Sequence, residues 1–274
     1  MKKLRPIRRG ESPTGNETYS PYESAKLDLI DKLSSGWSEG RHKASYCNYC
    51  ERKIDTNLAV EHIIPKNGEF GNSELKEKWS NFLLACVNCN STKGVKEVLF
   101  YNLFLPDRDN TFYAFEYTAD GMIKPRDTLS GTNKARVNIT LKLLGLDLET
   151  KKNFSSVGNV IAQDRVAQRI EVWGIAEESL CDYLNDINNL ATKKLIVKLM
   201  LSSGFFSVWM TVFKDYSEMK NLFIDAIHGT RESGCFDDEA NCLGFHPNKD
   251  NLKGGGKIWD DNIFLKNLRN FTLY

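Results

Sequence analysis

The sequence predicts an α+β protein in two parts: a cysteine-bearing first part with short strands, residues 1–130, and a mainly α-helical second part, residues 131–274. Three observations carry this. Four of the seven cysteines fall between residues 47 and 89 as two pairs, Cys47-x2-Cys50 and Cys86-x2-Cys89. Short β-branched and aromatic runs occupy the same part of the chain. Beyond about residue 130 the apolar residues change to helical spacing.

Taken in order, residues 21–34 put Ala25, Leu27, Leu29, Ile30 and Leu33 at mostly helical spacing, with Ser35-Gly36 able to end the turn. Residues 58–64, LAVEHII, read as a strand ending at Pro65. Residues 79–98 open with WSNFLLACVNCN and continue into a polar stretch compatible with helix. TFYAFEY, then Thr118-Ala119-Asp120-Gly121, then MIK reads as a hairpin around an Asp-Gly turn. Val137, Leu141, Leu144 and Leu148 then lie on one helical stripe, widened by Ile139, Leu143 and Leu146. Residues 157–173, 176–200 and 205–228 read as further helices, and the Phe205, Phe206, Trp209, Phe213 group as their packing core. The tail from Gly229 is rich in turn residues.

Lys+Arg 37 against Asp+Glu 36 leaves a net charge of +1, which excludes a generic polycation that coats nucleic acid through bulk charge. The balance is uneven along the chain. Residues 1–100 carry 16 basic and 13 acidic residues, and the remainder 21 and 23, the sign expected if the first part meets phosphate. MKKLRPIRRG is basic but lacks the apolar stretch of a secretory signal. Leu195 to Phe213 is the most membrane-like run, but it contains Lys198 and Gly204, so it reads as a buried helix or two helices broken at Gly204. The expectation is a cytoplasmic protein with reduced thiols and no membrane span.

Two Cys-x2-Cys knuckles separated by 35 residues can supply four thiolates to one tetrahedral zinc. Ordinary buried thiols or a redox pair are the alternatives, but redox chemistry usually needs only one such pair. A closed four-thiolate site leaves no position for substrate, so a zinc there would be structural. Cys181, Cys235 and Cys242 show no such pattern, and His228, Cys235, Cys242 and His246 have a spacing that fits no zinc motif.

Between the knuckles lies Val60-Glu61-His62-Ile63-Ile64-Pro65-Lys66. Adjacent side chains of a strand point to opposite faces, so Glu61 and His62 serve one site only if the strand end bends. A histidine can deprotonate water, and a carboxylate can take a hard divalent cation. Trp79-Ser80-Asn81-Phe82-Leu83-Leu84-Ala85-Cys86 follows, and Asn90-Ser91-Thr92-Lys93-Gly94 comes directly after the second knuckle.

This combination resembles the zinc-containing branch of the HNH endonucleases over roughly residues 45–95. The resemblance implies a ββα-metal core braced by the zinc knuckles, with zinc held by Cys47, Cys50, Cys86 and Cys89. It makes His62 the general base and Glu61 a ligand of the catalytic metal. It gives Asn81 the role of orienting the loop and the base, and Asn90 that of second metal ligand, an H-N-N pattern. An asparagine oxygen favours Mg²⁺ or Mn²⁺ over a softer ion. The family often has Asp where Glu61 stands. Lys66 and Lys93 are candidate phosphate contacts. The implied chemistry is single-metal phosphodiester hydrolysis.

The start, Met1-Lys2-Lys3-Leu4-Arg5-Pro6-Ile7, with a knuckle some forty residues later and a helical C-terminal half, also resembles the HNH components of bacterial anti-phage systems of the Septu type, including those attached to retrons. That resemblance implies an ABC-type ATPase partner, and DNA is the first reading of the substrate. Residues 204–213 and 227–237 look like a recurring C-terminal feature of such proteins, without a chemical role. The same site on RNA such as tRNA, and a zinc-stabilised binding module without catalysis, are the competing readings. Intact Glu61, His62, Asn81 and Asn90 speak against the last.

Overall fold

The computed structural model describes residues 12–33, 35–36, 43–56, 58–147, 165–227 and 229–244. The segment 1–11, His228, His246, Leu148 and the tail beyond 244 lie outside the described residues, so the arrangement of His228 with Cys235, Cys242 and His246 does too.

Tyr22–Ala25 forms a single 3-10 turn that runs into helix α1 (Lys26–Leu33). Strands β1 (Ser35–Gly36) and β2 (Lys43–Ala44) pair as a two-residue antiparallel ladder. The central unit is strand β3 (Ala59–His62), strand β4 (Phe82–Ala85) and helix α2 (Val87–Lys93). β3 and β4 are antiparallel, with Glu61 opposite Leu83 and His62 opposite Phe82. Directly opposed residues share a face, and alternate residues change face. All four β4 residues are buried because both faces are covered. Phe82 and Leu84 pack with Trp79, Ala25 and Leu29 of the N-terminal segment, whereas Leu83 and Ala85 join the main core.

Helix α3 (Thr111–Ala114) leads into strands β5 (Phe115–Tyr117) and β6 (Ile123–Pro125). The hairpin is therefore shorter than the sequence suggests. Asn110 accepts a hydrogen bond from the Tyr113 amide and caps one helical turn where a strand was expected.

The described residues of the second part are built mainly of helices. Helix α4 (Gly131–Leu144) ends at Gly145 in the left-handed conformation. Helix α5 (Arg165–Asn185) runs unbroken through the expected gap at 174–175, because Gly174 sits in open space and costs only helix propensity. Helices α6 (Leu190–Ser203), α7 (Phe206–Val212) and α8 (Ser217–Ala226) complete the set. The break between α6 and α7 falls at Gly204, as expected, with φ at +75°. Among the described residues no helix is long and apolar enough to cross a membrane.

One continuous core joins Cys47, Tyr49 and Leu83 to Trp209, Phe213 and Phe223 of the helices. The join is polar as well as apolar. The Glu51 carboxylate accepts hydrogen bonds from the Ser207 amide at 2.8 Å and its hydroxyl at 2.6 Å, and the Glu51 carbonyl accepts from the Phe205 amide at 2.9 Å. Burial pushes the Glu51 carboxyl above its ordinary range, and the Ser207 bonds pull it back.

Candidate active site

The knuckles come together first. Cys47 begins a tight turn in which its amide donates to the Arg52 carbonyl and its carbonyl accepts from the Glu51 amide. The Asn48 side chain accepts from the Leu84 amide at 2.7 Å, which clamps this turn onto β4. Cys86 follows β4 and caps α2, its sulfur accepting from the Cys89 amide. Ligand atoms of Cys47, Cys50, Cys86 and Cys89 all lie within 4.8 Å of one another, and all four residues are buried. The sulfurs of Cys50 and Cys86 are 3.9 Å apart. Four sulfurs about 2.3 Å from one ion in a tetrahedron lie about 3.8 Å apart, so the cluster fits zinc. Cys86 lies far below the ordinary thiol range because its sulfur accepts hydrogen bonds from the other three cysteines. Arg165 Nη1 adds a donor at 3.1 Å from the Cys89 sulfur.

The two faces of β3 carry two separate groups of polar residues. On the face shared with Leu83, Glu61 is 2% exposed and its Oε1 lies 2.9 Å from Lys93 Nζ, with Lys93 3% exposed. Tyr49, inside the first knuckle, donates its hydroxyl to the same oxygen at 3.4 Å. Burial pushes the Glu61 carboxyl up, and the Lys93 ammonium opposes that. Lys93, expected at a phosphate, thus directs its charge to Glu61. Asn90 lies one helical turn before Lys93 and so on the same side of α2, half-buried. A carboxylate and an amide oxygen are the donors a hard cation takes, so Glu61 and Asn90 fit Mg²⁺ or Mn²⁺ in kind.

On the opposite face, His62 is 7% exposed and stands edge-on to Tyr22 and Phe82, ring centroids 4.7 and 5.2 Å away. Its Nε2 is 2.8 Å from the Lys76 carbonyl. A carbonyl only accepts, so Nε2 carries the proton and Nδ1 keeps its lone pair in the neutral ring. Burial holds the imidazole below its ordinary value, against the Lys76 bond, with the charges of Lys66 and Lys93 adding to burial. Lys66 Nζ donates to the Tyr22 hydroxyl at 2.7 Å and lies over the Tyr22 ring.

Asn81 fixes the loop between these strands. Its Oδ1 accepts from the Ile64 amide at 2.8 Å, and its Nδ2 donates to the carbonyls of Ile64 at 3.0 Å and Leu75 at 3.2 Å. That holds the turn that presents the Lys76 carbonyl to His62. Sequence reasoning missed Tyr22, Tyr49 and the Lys76 carbonyl. Tyr49 had a signal, its place between two ligand cysteines. Tyr22 and Lys76 had none.

An antiparallel hairpin and a helix around a four-cysteine cluster define a ββα unit of the HNH type. Residues 47–96 match the family model described as HNH endonuclease, and this segment is an HNH domain. A protein of Vibrio cholerae serotype O1 biovar El Tor, named "Retron Vc95 putative HNH endonuclease", is 28% identical over 169 residues, covering 54% of this chain and 80% of the relative.

Proposed function

We propose that the chain is a metal-dependent endonuclease that hydrolyses phosphodiester bonds in DNA, and the effector nuclease of a bacterial anti-phage defence system with an ATPase partner. The observation that carries the nuclease reading is His62. Its Nε2 proton is committed to the Lys76 carbonyl, which aims the free Nδ1 as a base for water. Burial keeps the ring neutral near physiological pH, the form in which it can take a proton. Asn81 acts through the loop, not on substrate: losing it frees the Ile64–Leu75 turn and with it the carbonyl that orients His62.

Glu61 and Asn90 would hold the divalent cation, with Zn²⁺ in the four-cysteine site as a brace. They lie across β3 from His62, so the cation and the base act on one phosphate only where it reaches both faces at the strand end. When bound, the cation stabilises charge gathering on the phosphate and the leaving oxygen. Lys66 supplies positive charge beside His62 for a phosphate oxygen. The defence role rests on the name of the Vibrio cholerae relative, which places that protein with a retron. The near-neutral net charge supports a partner, because unaided grip on duplex comes mainly from phosphate neutralisation.

The test is cleavage of a plasmid and of a tRNA pool with Mg²⁺ or Mn²⁺, native protein against His62→Ala, alone and with the product of a neighbouring ATPase gene. Plasmid cutting lost in His62→Ala is expected. Cutting of tRNA alone would replace DNA with RNA as substrate, and cutting retained by His62→Ala would remove the histidine from the mechanism.

A further inference from the structure

We infer that Lys93 is the resident counter-cation of Glu61, and that a divalent ion gains the Glu61 carboxylate only by displacing the Lys93 ammonium. This rests on the reading of Glu61 as the ligand of a divalent cation.

The two side chains form an ion pair of 2.9 Å in which both partners are almost fully buried. A lone carboxylate at such a position is costly, and an ammonium beside it offsets that cost. Lys93 is the last residue of α2, where Gly94, with φ at +52°, turns the chain away. Its Nζ also lies 3.4 Å from the Gly94 carbonyl. Lys93 and Tyr49 both address Oε1 of Glu61, so the interior presents that oxygen with a positive charge and a hydroxyl proton. A divalent ion joining them would put two cations on one carboxylate in a region of low effective dielectric, where like charges repel strongly.

Lys93 has a flexible four-carbon stem and its one compact charge can swing without moving the helix. Displacement therefore requires only a side-chain rotation. The released ammonium is then available to a phosphate, which would make cation and substrate bind with mutual support. The arrangement sets a threshold. Cation loading stays weak until phosphate arrives to accept the lysine.

The experiment is Mn²⁺ binding to the full chain without nucleic acid, followed by the electron paramagnetic resonance of free Mn²⁺, with the protein kept zinc-replete. Thiolates prefer zinc to Mn²⁺, so the four-cysteine cluster does not contribute. Lys93→Met is expected to bind Mn²⁺ at least ten-fold more tightly than native protein, and Lys93→Arg, which keeps the charge, to match native protein. Lys93→Gln keeps a donor for Glu61 without charge and should also tighten binding ten-fold if the methionine variant fails to fold. Glu61→Gln should abolish binding in every background. Equal affinity in native protein and the uncharged variants, with Glu61→Gln still abolishing it, would overturn the role of Lys93 alone. Binding that survives Glu61→Gln would overturn the reading of Glu61 and this inference with it.

Discussion

Arg165, the first residue of α5, places Nη1 3.1 Å from the sulfur of Cys89, so the helical part of the chain donates a hydrogen bond to the four-cysteine cluster. The same guanidinium donates to the Leu144 carbonyl at 3.0 Å and to the Gly145 carbonyl, capping the end of α4. A donor to a ligand sulfur stabilises thiolate charge and holds the ligand's orientation. Arg165→Leu should therefore lose zinc to a chromogenic chelator about ten-fold faster and unfold about 3 kcal/mol more easily, because it strands two buried carbonyls. Native protein should carry one zinc per chain, and Cys86→Ser should lose both metal and fold.

Asn81→Ala removes an acceptor from the Ile64 amide and a donor from two carbonyls at once. The expected cost is about 3 kcal/mol of stability, measured by urea unfolding. Cleavage should fall further than that loss explains, by roughly 100-fold under conditions where the variant stays folded, because His62 loses its orientation. Unaltered cleavage in the folded variant would show that the loop holds its shape without Asn81.

Gly204 meets the backbone of the first knuckle. A methyl group there would stand 2.7 Å from the Lys53 amide nitrogen and 2.8 Å from the Glu51 carbonyl, at a φ of +75°. Gly204→Ala should cost roughly 3 kcal/mol or more and lower the thermal midpoint accordingly. The nearby Ser202→Ala, an exposed position that keeps the backbone, is the control.

Asp109 supplies a pH dependence with a definite sign. Burial raises its carboxyl to about 6, despite the Leu105 amide and Arg136. The folded value lies above the unfolded one, so the group favours the fold below about pH 4, and that advantage is lost as pH rises toward 6. Across that window native protein should lose about 3 kcal/mol relative to Asp109→Asn, read from urea midpoints. Parallel pH profiles for the two proteins would remove Asp109 as the cause.

Much of the central unit is legible in sequence because its signals are local. Two knuckles and a β-branched run before Pro65 mark the cluster and β3 within a few residues each, whereas the helical stretch read as far as residue 98 stops at Lys93, where Gly94 turns the chain. The helical stripe through Val137 and Leu141 reports α4 for the same reason. What was not legible depends on pairs distant in the chain. Glu51 finds Ser207 across 156 residues, and Lys66 finds Tyr22 across 44. The direction of Lys93 follows only once α2 is folded back on β3, since an exposed lysine and a buried one look alike in sequence. The one-turn helix at Thr111–Ala114 hid because its aromatic run suits a strand equally well, and the Asn110 cap decides it.

The Glu51–Ser207 junction also bears on transplantation. The first knuckle finishes its polar bonding on a serine and its backbone clearance on a glycine of another region. The segment 47–96 lifted out alone would carry a buried acid with no donor and a turn with an uncovered side. Anyone moving it to a new host protein must bring the Gly204–Ser207 corner along, or rebuild it.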